Sequence, residues 1–284
     1  MKFTPVYSVA VLGPKNTYSD LAAQKYAGEI QETIYCDSIA DVFEMVESGR
    51  AKQGVVPLEN MIYGTVRETL DELYKKNVHI VAKFNLPIRH ALVAMPGARK
   101  KEIITISSHD QALAQCRIYI RKHFPRARLL QTASTMAAFD TIIGEHDTSA
   151  AAIIPYEIAR KLDCAILADK IVDNPQNRTT FIAIKKGAVP RNTPAGANEG
   201  KGSPRTSIAF AFGKDRPGAL SEIFREFAEA KINLSHIESR PSPEEFGKYV
   251  FYMDFLGHPE EDCTKKVLKN ISGKVAKLKI LGVY

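Results

Sequence analysis

Hydroxyl and amide side chains lead directly into an apolar run in the stretch DNPQNRTTFIAI, residues 173 to 184. Asn177 and the adjacent threonines Thr179 and Thr180 immediately precede the strand-like run FIAI. Residues of this kind begin an ordinary turn before a strand, and they also form hydrogen bonds to charge that develops in a reaction site. The residue types alone leave both interpretations open.

Four further stretches place polar groups where a strand is expected to lead into a helix. They are LGPKNTYS (12–19), VVPLENMIYGTV (55–66), SSHDQALAQC (107–116) and TASTMAA (132–138). Ser and Thr are usual N-cap residues, and Ser134 fits that role. A helix start also binds anions, because free backbone N–H groups and the helix dipole meet there. Four such starts in one domain favour a site for a small anion.

Other chemistries lack their motifs in this chain. There is neither a GxGxxG nor a Walker A motif, which disfavours nucleotide binding, and there is no GxSxG elbow for a serine hydrolase. The four cysteines form no CxxC pair, no HExxH motif occurs, and the seven histidines are scattered. We therefore expect no metal and no cofactor, and we expect reduced, buried thiols in a cytoplasmic protein.

The composition is that of an ordinary globular protein, with 45% hydrophobic and 25% charged residues. No run of about 18 apolar residues occurs, so we expect no transmembrane helix and no membrane partner. The net charge of +7 is dispersed and forms no basic stripe or motif for nucleic acid. A basic surface of this kind also steers an anionic small substrate.

Apolar strand patterns alternate with helical patterns through the first part of the chain, which indicates an α/β domain with a mostly parallel sheet. In such sheets ligands bind at the carboxyl ends of strands, where the four polar loops are expected. Pro57 is expected to end its strand, since proline cannot donate to a sheet ladder. The stretch DQALAQCRIYIRKHF (110–124) is predicted to form one helix.

A composition break separates a second domain from the first. Residues 185 to 206 contain four Gly and three Pro but no Leu, Ile or Phe, which is typical of an exposed linker. We place the linker at 186–205. Beyond it, residues 206–284 follow the strand and helix order of a ferredoxin-like βαββαβ fold.

The four polar loops and the stretch NRTTF occur in the order of the motifs of prephenate dehydratases, which this chain resembles over essentially its whole length. In the second domain, GALS (218–221) and ESRP (238–241) resemble the regulatory ACT domain of the same enzymes. No chorismate mutase segment precedes the first strand, so the monofunctional form is expected.

The resemblance implies a two-lobed catalytic domain over 1–185 that resembles type II periplasmic binding proteins, with the site in the cleft between the lobes. Lobe 1 is expected at about 1–80 and 171–185, and lobe 2 at about 81–170. The ACT domain follows at 206–284. Because the regulatory amino acid of such domains lies between paired copies, a homodimer or homotetramer is implied.

The resemblance also implies roles for individual residues in the conversion of prephenate to phenylpyruvate. Thr179 is expected to hydrogen-bond the departing ring hydroxyl, with Glu59 or His109 as the titrating partner. The expected catalytic residues are Thr179, Glu59, Asn60, Ser108 and Gln115. The expected substrate-binding residues are Thr17, Tyr18, Ser19, Gly64, His109, Ser134, Asn177, Arg178, Thr180 and Phe181. The expected phenylalanine-binding residues are Gly218, Ala219, Leu220, Ser221, Glu238, Ser239, Arg240 and Pro241.

Two positions depart from the family motifs. Thr180 stands where the Asn-x-Thr-Arg-Phe motif has arginine, and Met61 stands where the family has serine. Prephenate carries two carboxylates, for which arginine is the best bidentate partner. Arg178 shares a face with Thr180 in an extended segment and could supply part of the charge. Otherwise, carboxylate binding depends on Lys15 or on helix N-termini.

Three alternatives remain open at this point. An arogenate dehydratase would use a substrate that differs from prephenate by one amino group. A prephenate decarboxylase that does not aromatise the ring is weakly favoured by Thr180 and disfavoured by Thr179 and the ACT domain. A two-lobed protein fused to an amino-acid sensor would have no catalytic activity.

Overall fold

The computed structural model describes residues 8–28, 32–190, 197–198, 204–214, 216–242, 245 and 247–284. The start of the predicted first strand and most of the predicted linker (186–205) lie outside the described residues. The described strands form one sheet of 11 strands and one of five. No helix in the described part of the chain is long and apolar enough to cross a membrane.

In chain order the helices and strands are β1 (Ser8–Leu12), α1 (Tyr18–Ala27), β2 (Glu32–Cys36), α2 (Ile39–Ser48), β3 (Gln53–Asn60), β4 (Gly64–Thr65), α3 (Arg67–Lys75), β5 (Val78–Pro87), β6 (His90–Ala94), a short 3-10 helix (Lys100–Glu102), β7 (Thr105–Ser108), α4 (Asp110–Gln115), α5 (Arg117–His123), β8 (Arg128–Gln131), α6 (Thr135–Glu145), β9 (Ala150–Pro155), α7 (Tyr156–Ala159), β10 (Ala165–Ala168), β11 (Arg178–Lys186), β12 (Ala197–Asn198), β13 (Arg205–Ala211), α8 (Ala219–Glu229), β14 (Leu234–Pro241), β15 (Tyr249–Leu256), α9 (Asp262–Ser272) and β16 (Lys277–Val283).

Lobe 1 is built on the strand order β5-β11-β3-β1-β2. Strand β1 is parallel to β2 and β3, whereas β11 runs antiparallel to β3 and β5. The runs GVV in β3 and FIAI in β11 are buried because helices cover both faces of the sheet. Gly54 lets α2 approach closely, since a Cβ there would lie 2.9 Å from side-chain carbons of Val42 and Val46.

Lobe 2 has the strand order β10-β6-β9-β7-β8. Strand β7 is parallel to β8 and β9, and β6 is antiparallel to β9 and β10. Every residue of β9, AAAIIP, is buried. Helix α6 packs Met136, Phe139 and Ile142 against this sheet. Both lobes therefore have mixed sheets, in contrast to the mostly parallel sheet that the alternation predicted.

Two segments connect the lobes. The chain leaves lobe 1 after β5 and enters lobe 2 at β6, so the first crossing lies near residue 88. The predicted crossing near residue 80 was too early, because the ten residues of β5 continue to pair with β11 as far as Pro87. The return runs from the end of β10, Ala168, to the start of β11, Arg178.

The C-terminal domain has the predicted βαββαβ order, with an antiparallel sheet β14-β15-β13-β16. One face of this sheet packs against α8 and α9 through Phe210, Ile223, Phe227, Met253 and Ile271. The amphipathic patterns of both helices place their apolar stripe on this sheet.

The other face of the C-terminal sheet packs on lobe 1. Tyr252 and Leu281 join one apolar cluster with Leu70 and Leu73 of α3, and each large side chain buried there contributes about 1.5–3 kcal/mol. Strand β16 also meets β5 in one parallel bridge at Gly282, where a Cβ would lie 2.5 Å from the Cβ of Ile80. The two domains therefore share a packed core.

Other details differ from the sequence predictions. The predicted helix 110–124 divides into α4 and α5 at Cys116, and the Asp173 carboxylate accepts hydrogen bonds from the N–H groups of Ile118 and Tyr119 in the first turn of α5. Pro57 lies inside β3 rather than at its end, opposite Phe181 at a register shift. All four cysteines are free, but only Cys36 and Cys116 are buried as predicted, whereas Cys164 is partly buried and Cys263 is exposed.

Candidate active site

A cavity of about 500 Å³ lies between the two lobes, and we call it the interlobe cavity. The four polar loops and strand β11 all contribute to its wall. The predicted site residues that line it are Thr17, Tyr18, Ser19, Asn60, Gly64, His109, Gln115, Ser134, Thr179 and Phe181. Residues far apart in the sequence therefore meet at one place, because the carboxyl ends of β1, β3, β7 and β8 face the cleft together with the amino end of the antiparallel strand β11.

Thr179 lies on β11, only 8% exposed, with its side chain at the cavity wall. Asn60, its partner on β3, donates from Nδ2 to Thr179 Oγ1 over 2.9 Å. A hydroxyl has one proton to donate and two lone pairs. Because Thr179 accepts from Asn60, its own proton remains for a ligand, and no acceptor for it lies within reach among the residues the structure describes.

The amide of Asn60 is held in one orientation. Its Oδ1 accepts the backbone N–H groups of Ile62 and Tyr63 over 3.0 and 3.1 Å. Its Nδ2 consequently points to β11, where it also lies 3.3 Å from Asn177 Oδ1 and from the carbonyl oxygen of Arg178. Asn60 thus fixes both the turn after β3 and the position of the Thr179 hydroxyl.

The lobe 2 wall carries an uncharged hydrogen-bonded pair. Gln115 Oε1 lies 2.9 Å from His90 Nε2, and both residues are buried. Burial lowers the pKa of His90 to about 4, so its imidazole is neutral at pH 7. His90 was not predicted as a site residue, since a histidine beside the apolar run ALVA resembles an ordinary core position.

Two long helices begin at the cavity. Ser134 caps α6, accepting the N–H of Ala137 over 3.0 Å, as the sequence predicted. Thr17 precedes α1, but its hydroxyl donates to the carbonyl of Pro14 instead of capping. The first amides of a helix carry partial positive charge and have no partner within the helix. Both starts therefore offer N–H groups to an anion in the cavity.

Tyr18 ties lobe 1 to the first crossing. Its hydroxyl donates to the carbonyl of Arg89 over 2.5 Å and accepts the Arg89 N–H over 3.0 Å. It also lies 3.4 Å from His90 Nδ1. Burial raises the pKa of Tyr18 well above its usual value, so the phenol stays protonated.

Five predicted residues do not line the cavity: Glu59, Ser108, Asn177, Arg178 and Thr180. Alternation along β11 turns Arg178 and Thr180 away from the face of Thr179, and Thr180 Oγ1 donates to Asn85 Oδ1 over 2.8 Å. The structure therefore does not support the carboxylate role predicted for Arg178 or the substrate contact predicted for Thr180. Lys15 is also absent from the wall.

The remaining three of these predicted residues form contacts within the protein. Ser108 is fully buried and donates to the carbonyl of Ile153 over 2.6 Å. Asn177 is 2% exposed and accepts from Asn60, while its Nδ2 has no partner among the described residues. Glu59 is held in the pairing of β3 with β4 and β11.

The cavity wall also includes residues that the sequence did not predict, among them Tyr63, Thr65 and Gln111.

The charges lie beside the cavity rather than in it. None of the described residues that line the interlobe cavity is Lys or Arg. A second hollow of about 770 Å³, the basic crevice, adjoins it and shares Tyr18. The charged residues that line the basic crevice are Lys25, Arg89, Glu157, Arg160 and Lys161.

Comparison with known proteins decides the family. A family model described as prephenate dehydratase matches residues 9–188, and one described as ACT domain matches residues 207–273. The chain belongs to the prephenate dehydratase family. Its two-lobed α/β domain and C-terminal ACT domain, which the resemblance implied, are confirmed.

Individual relatives match over nearly the full length. The chain is 38% identical over 275 residues to the prephenate dehydratase of Methanocaldococcus jannaschii, covering 95% of each chain. The crystal structure of the Arthrobacter aurescens prephenate dehydratase in complex with L-Phe superposes with a TM-score of 0.85 at 32% identity, covering 98% of this chain and 89% of that one. GqqA, described as a novel type of quorum quenching acylase, gives 0.83 at 25% identity, covering 98% and 97%.

Proposed function

We propose that this chain is a prephenate dehydratase, a carbon–oxygen lyase of phenylalanine biosynthesis that converts prephenate to phenylpyruvate, carbon dioxide and water. The observation that carries the proposal is the Thr179 hydroxyl at the interlobe cavity, held by Asn60 Nδ2 at 2.9 Å. The likeness to GqqA shows that this fold also serves other activities, so the proposal rests on the site.

The reaction needs little covalent help from the protein, because forming an aromatic ring drives it. The bond from the ring to its carboxylate breaks and releases carbon dioxide, and the electron pair of that bond enters the ring. The bond from the ring to its hydroxyl breaks at the opposite carbon, and the departing hydroxide takes up one proton to form water. The protein must hold the ring and assist this departure.

Thr179 is positioned to assist the departing oxygen. Its free proton forms a hydrogen bond to that oxygen as negative charge develops, while the Asn60 N–H stabilises the charge drawn onto Oγ1. Of the two side chains proposed to assist Thr179, His109 lines the cavity and Glu59 does not, so His109 is the better placed of the two.

Substrate carboxylates are bound without a lysine or arginine on the described wall. The starts of α1 and α6 supply N–H groups, and the hydroxyls of Ser19 and Ser134 supply further hydrogen bonds, whereas the proton of Thr17 is already donated to the carbonyl of Pro14. Phe181 forms an apolar part of the wall and stacks on Phe84 with ring centroids 6.2 Å apart. This arrangement suits a small, ring-shaped anion.

The ACT domain supports feedback regulation by phenylalanine, since the A. aurescens relative has been crystallised with L-Phe. Gly218, whose φ of 84° is easily adopted only by glycine, precedes α8 and begins the predicted binding loop Gly218–Ser221. A ligand between two ACT domains requires at least a homodimer.

Product analysis tests the activity. Purified protein is incubated with prephenate or with arogenate, each with and without L-phenylalanine, and aromatic products are separated and quantified. We expect phenylpyruvate from prephenate, at a rate that L-phenylalanine changes. Phenylalanine formed from arogenate alone would make the chain an arogenate dehydratase, a non-aromatic product would make it a decarboxylase, and no product would leave a binding protein.

A further inference from the structure

Strand β14 (Leu234–Pro241) divides the predicted phenylalanine-binding residues between two faces. Its side chains alternate in exposure, so Ser239 and Pro241 point outward while Glu238 and Arg240 are half-buried. The two half-buried side chains turn towards lobe 1 and form polar contacts there. Half of the ESRP stretch is therefore engaged with the catalytic domain of its own chain.

Arg240 docks the ACT domain at a distance from the chemistry. Its Nε and Nη2 donate to the two carboxylate oxygens of Asp71 on α3, each over 3.1 Å. Nearby, the Tyr252 hydroxyl donates to the carbonyl of Leu70 over 3.1 Å. Neither Asp71 nor Leu70 lines the interlobe cavity. These contacts hold the domains together without touching the site.

Glu238 has a different kind of partner. The hydroxyl of Thr65 donates to Glu238 Oε2 over 2.6 Å, and His236 Nε2 lies 3.9 Å from the same oxygen. Thr65 is a lining residue of the interlobe cavity. Because a hydroxyl has a single proton, Thr65 cannot donate it to a ligand while Glu238 accepts it. A side chain of the regulatory domain thus controls one group on the wall of the site.

Thr65 is also connected to Thr179 through one hairpin. In the pairing of β3 with β4, Thr65 lies opposite Glu59 and Gly64 lies opposite Asn60. Asn60 closes the turn between them and donates to Thr179 Oγ1. A shift of β4 would therefore move the amide that positions the Thr179 hydroxyl.

We propose that Glu238 is a positioning residue that transmits the state of the ACT domain to Thr179, through its hydrogen bond to Thr65 and the hairpin of residues 60–65. This inference rests on the proposed function, which gives Thr179 its catalytic role. It adds the residue through which regulation reaches the site. When an amino acid binds at the outward face of β14, the strand moves, and Glu238 tightens or releases Thr65.

The test uses the full-length protein and two readouts. Isothermal calorimetry first measures L-phenylalanine binding, and hydrogen–deuterium exchange then follows backbone amides of residues 58–66 with and without L-phenylalanine. In parallel, kcat and KM for prephenate are measured under both conditions. In the wild type, we expect L-phenylalanine to change exchange in this segment and to change kcat/KM by about five- to 150-fold, the usual size of such coupling.

Glu238→Ala should keep L-phenylalanine binding within a few-fold and lose both responses, leaving less than about a twofold change in kcat/KM, because the coupling free energy is lost. Glu238→Gln keeps an oxygen acceptor for Thr65 and should restore most of the response. Thr65→Val removes the hydroxyl at the same size, and combining it with Glu238→Ala should add no further loss of response. Glu229→Gln, an exposed carboxylate at the end of α8, serves as the control and should behave as the wild type.

Three results would overturn the proposal. The first is an unchanged response to L-phenylalanine in Glu238→Ala and Thr65→Val. The second is wild-type binding of L-phenylalanine with no change in exchange at residues 58–66. The third is no binding of L-phenylalanine at all. If the exchange response is present but prephenate is not consumed, the proposed reaction fails while the contact from Glu238 to the hairpin stands.

Discussion

The interlobe cavity and the basic crevice are neighbours that share Tyr18 and differ in charge. The described wall of the cavity has hydroxyls, amides, a neutral imidazole and helix starts but no lysine or arginine, whereas Lys25, Arg89, Arg160 and Lys161 line the crevice. The difference suggests that the two hollows have separate roles. In the proposed reaction, fixed dipoles stabilise the developing charge in a site without full positive charges, and cations beside it raise the local concentration of an anionic substrate.

Removing the hydroxyl from Thr179 should have the largest effect. Thr179→Val keeps the size of the side chain, and we expect kcat to fall about 10²–10³-fold with KM changed by only a few-fold, because a hydrogen bond made in the transition state is lost. Thr179→Ser, which keeps the hydroxyl, is the matched control. Steady-state kinetics with prephenate check this, and a Val variant as fast as the Ser variant would place the chemistry elsewhere.

Acidification should lower the free energy of unfolding, because His90 in the lobe 2 wall is buried in its neutral form. The folded pKa of His90 is about 4 and lies below its unfolded value of about 6.5, so the unfolded state binds more protons between these values. The stabilisation is fully present above pH about 6.5 and is lost as pH falls towards 4, by about 3 kcal/mol.

Urea unfolding between pH 4 and 8 measures this contribution. His90→Gln should have a smaller pH dependence than the wild type, because it removes the buried group whose pKa differs between the folded and unfolded states. Equal pH dependence in the wild type and His90→Gln would show that the buried imidazole does not cause the loss.

Neutralising the basic crevice should affect substrate capture and not turnover. For Arg160→Gln combined with Lys161→Gln, we expect kcat/KM to fall by about two- to tenfold at low salt with kcat unchanged, and the difference should shrink as salt screens the field. The control is Arg121→Gln with Lys122→Gln, which removes the same charge from the exposed face of α5. A fall in kcat would mean that the crevice takes part in the reaction.

Adding charge to the far face of β11 should have the smallest effect. Thr180→Arg restores the family residue, but this side chain faces Asn85 and not the cavity. We expect less than about a twofold change in kcat/KM, since fixed charges outside the wall act mainly through the screened long-range field. A larger gain would show that an arginine at 180 reaches the substrate. Positive charge would then act inside the interlobe cavity and not only from the basic crevice.

Local patterns predicted the parts of the site that depend on neighbouring residues. Cap chemistry located the start of α6 at Ser134. The sequence prediction placed residues on both faces of β11 in the site, although alternation along the strand brings only Thr179 and Phe181 to the cavity. The roles expected of individual residues came from the family resemblance. The order of strands and helices predicted the fold of the C-terminal domain.

Contacts between distant elements could not be predicted in this way. His90 meets Gln115 only because β6 and α4 come together in lobe 2, and the division of the helix at Cys116 coincides with hydrogen bonds to Asp173 from the return segment. The motif ESRP marked Glu238 and Arg240, but which face of β14 they occupy and what they touch depend on how the ACT sheet packs on α3.

The most direct test of the central claim is a heavy-atom isotope effect on the departing oxygen. Prephenate labelled with oxygen-18 in its ring hydroxyl is mixed with unlabelled prephenate, and the effect on kcat/KM is measured competitively for the wild type and Thr179→Val. If the Thr179 hydroxyl assists this departure, the labelled substrate reacts more slowly and the effect grows in Thr179→Val. An effect of the same size in both proteins would contradict the account.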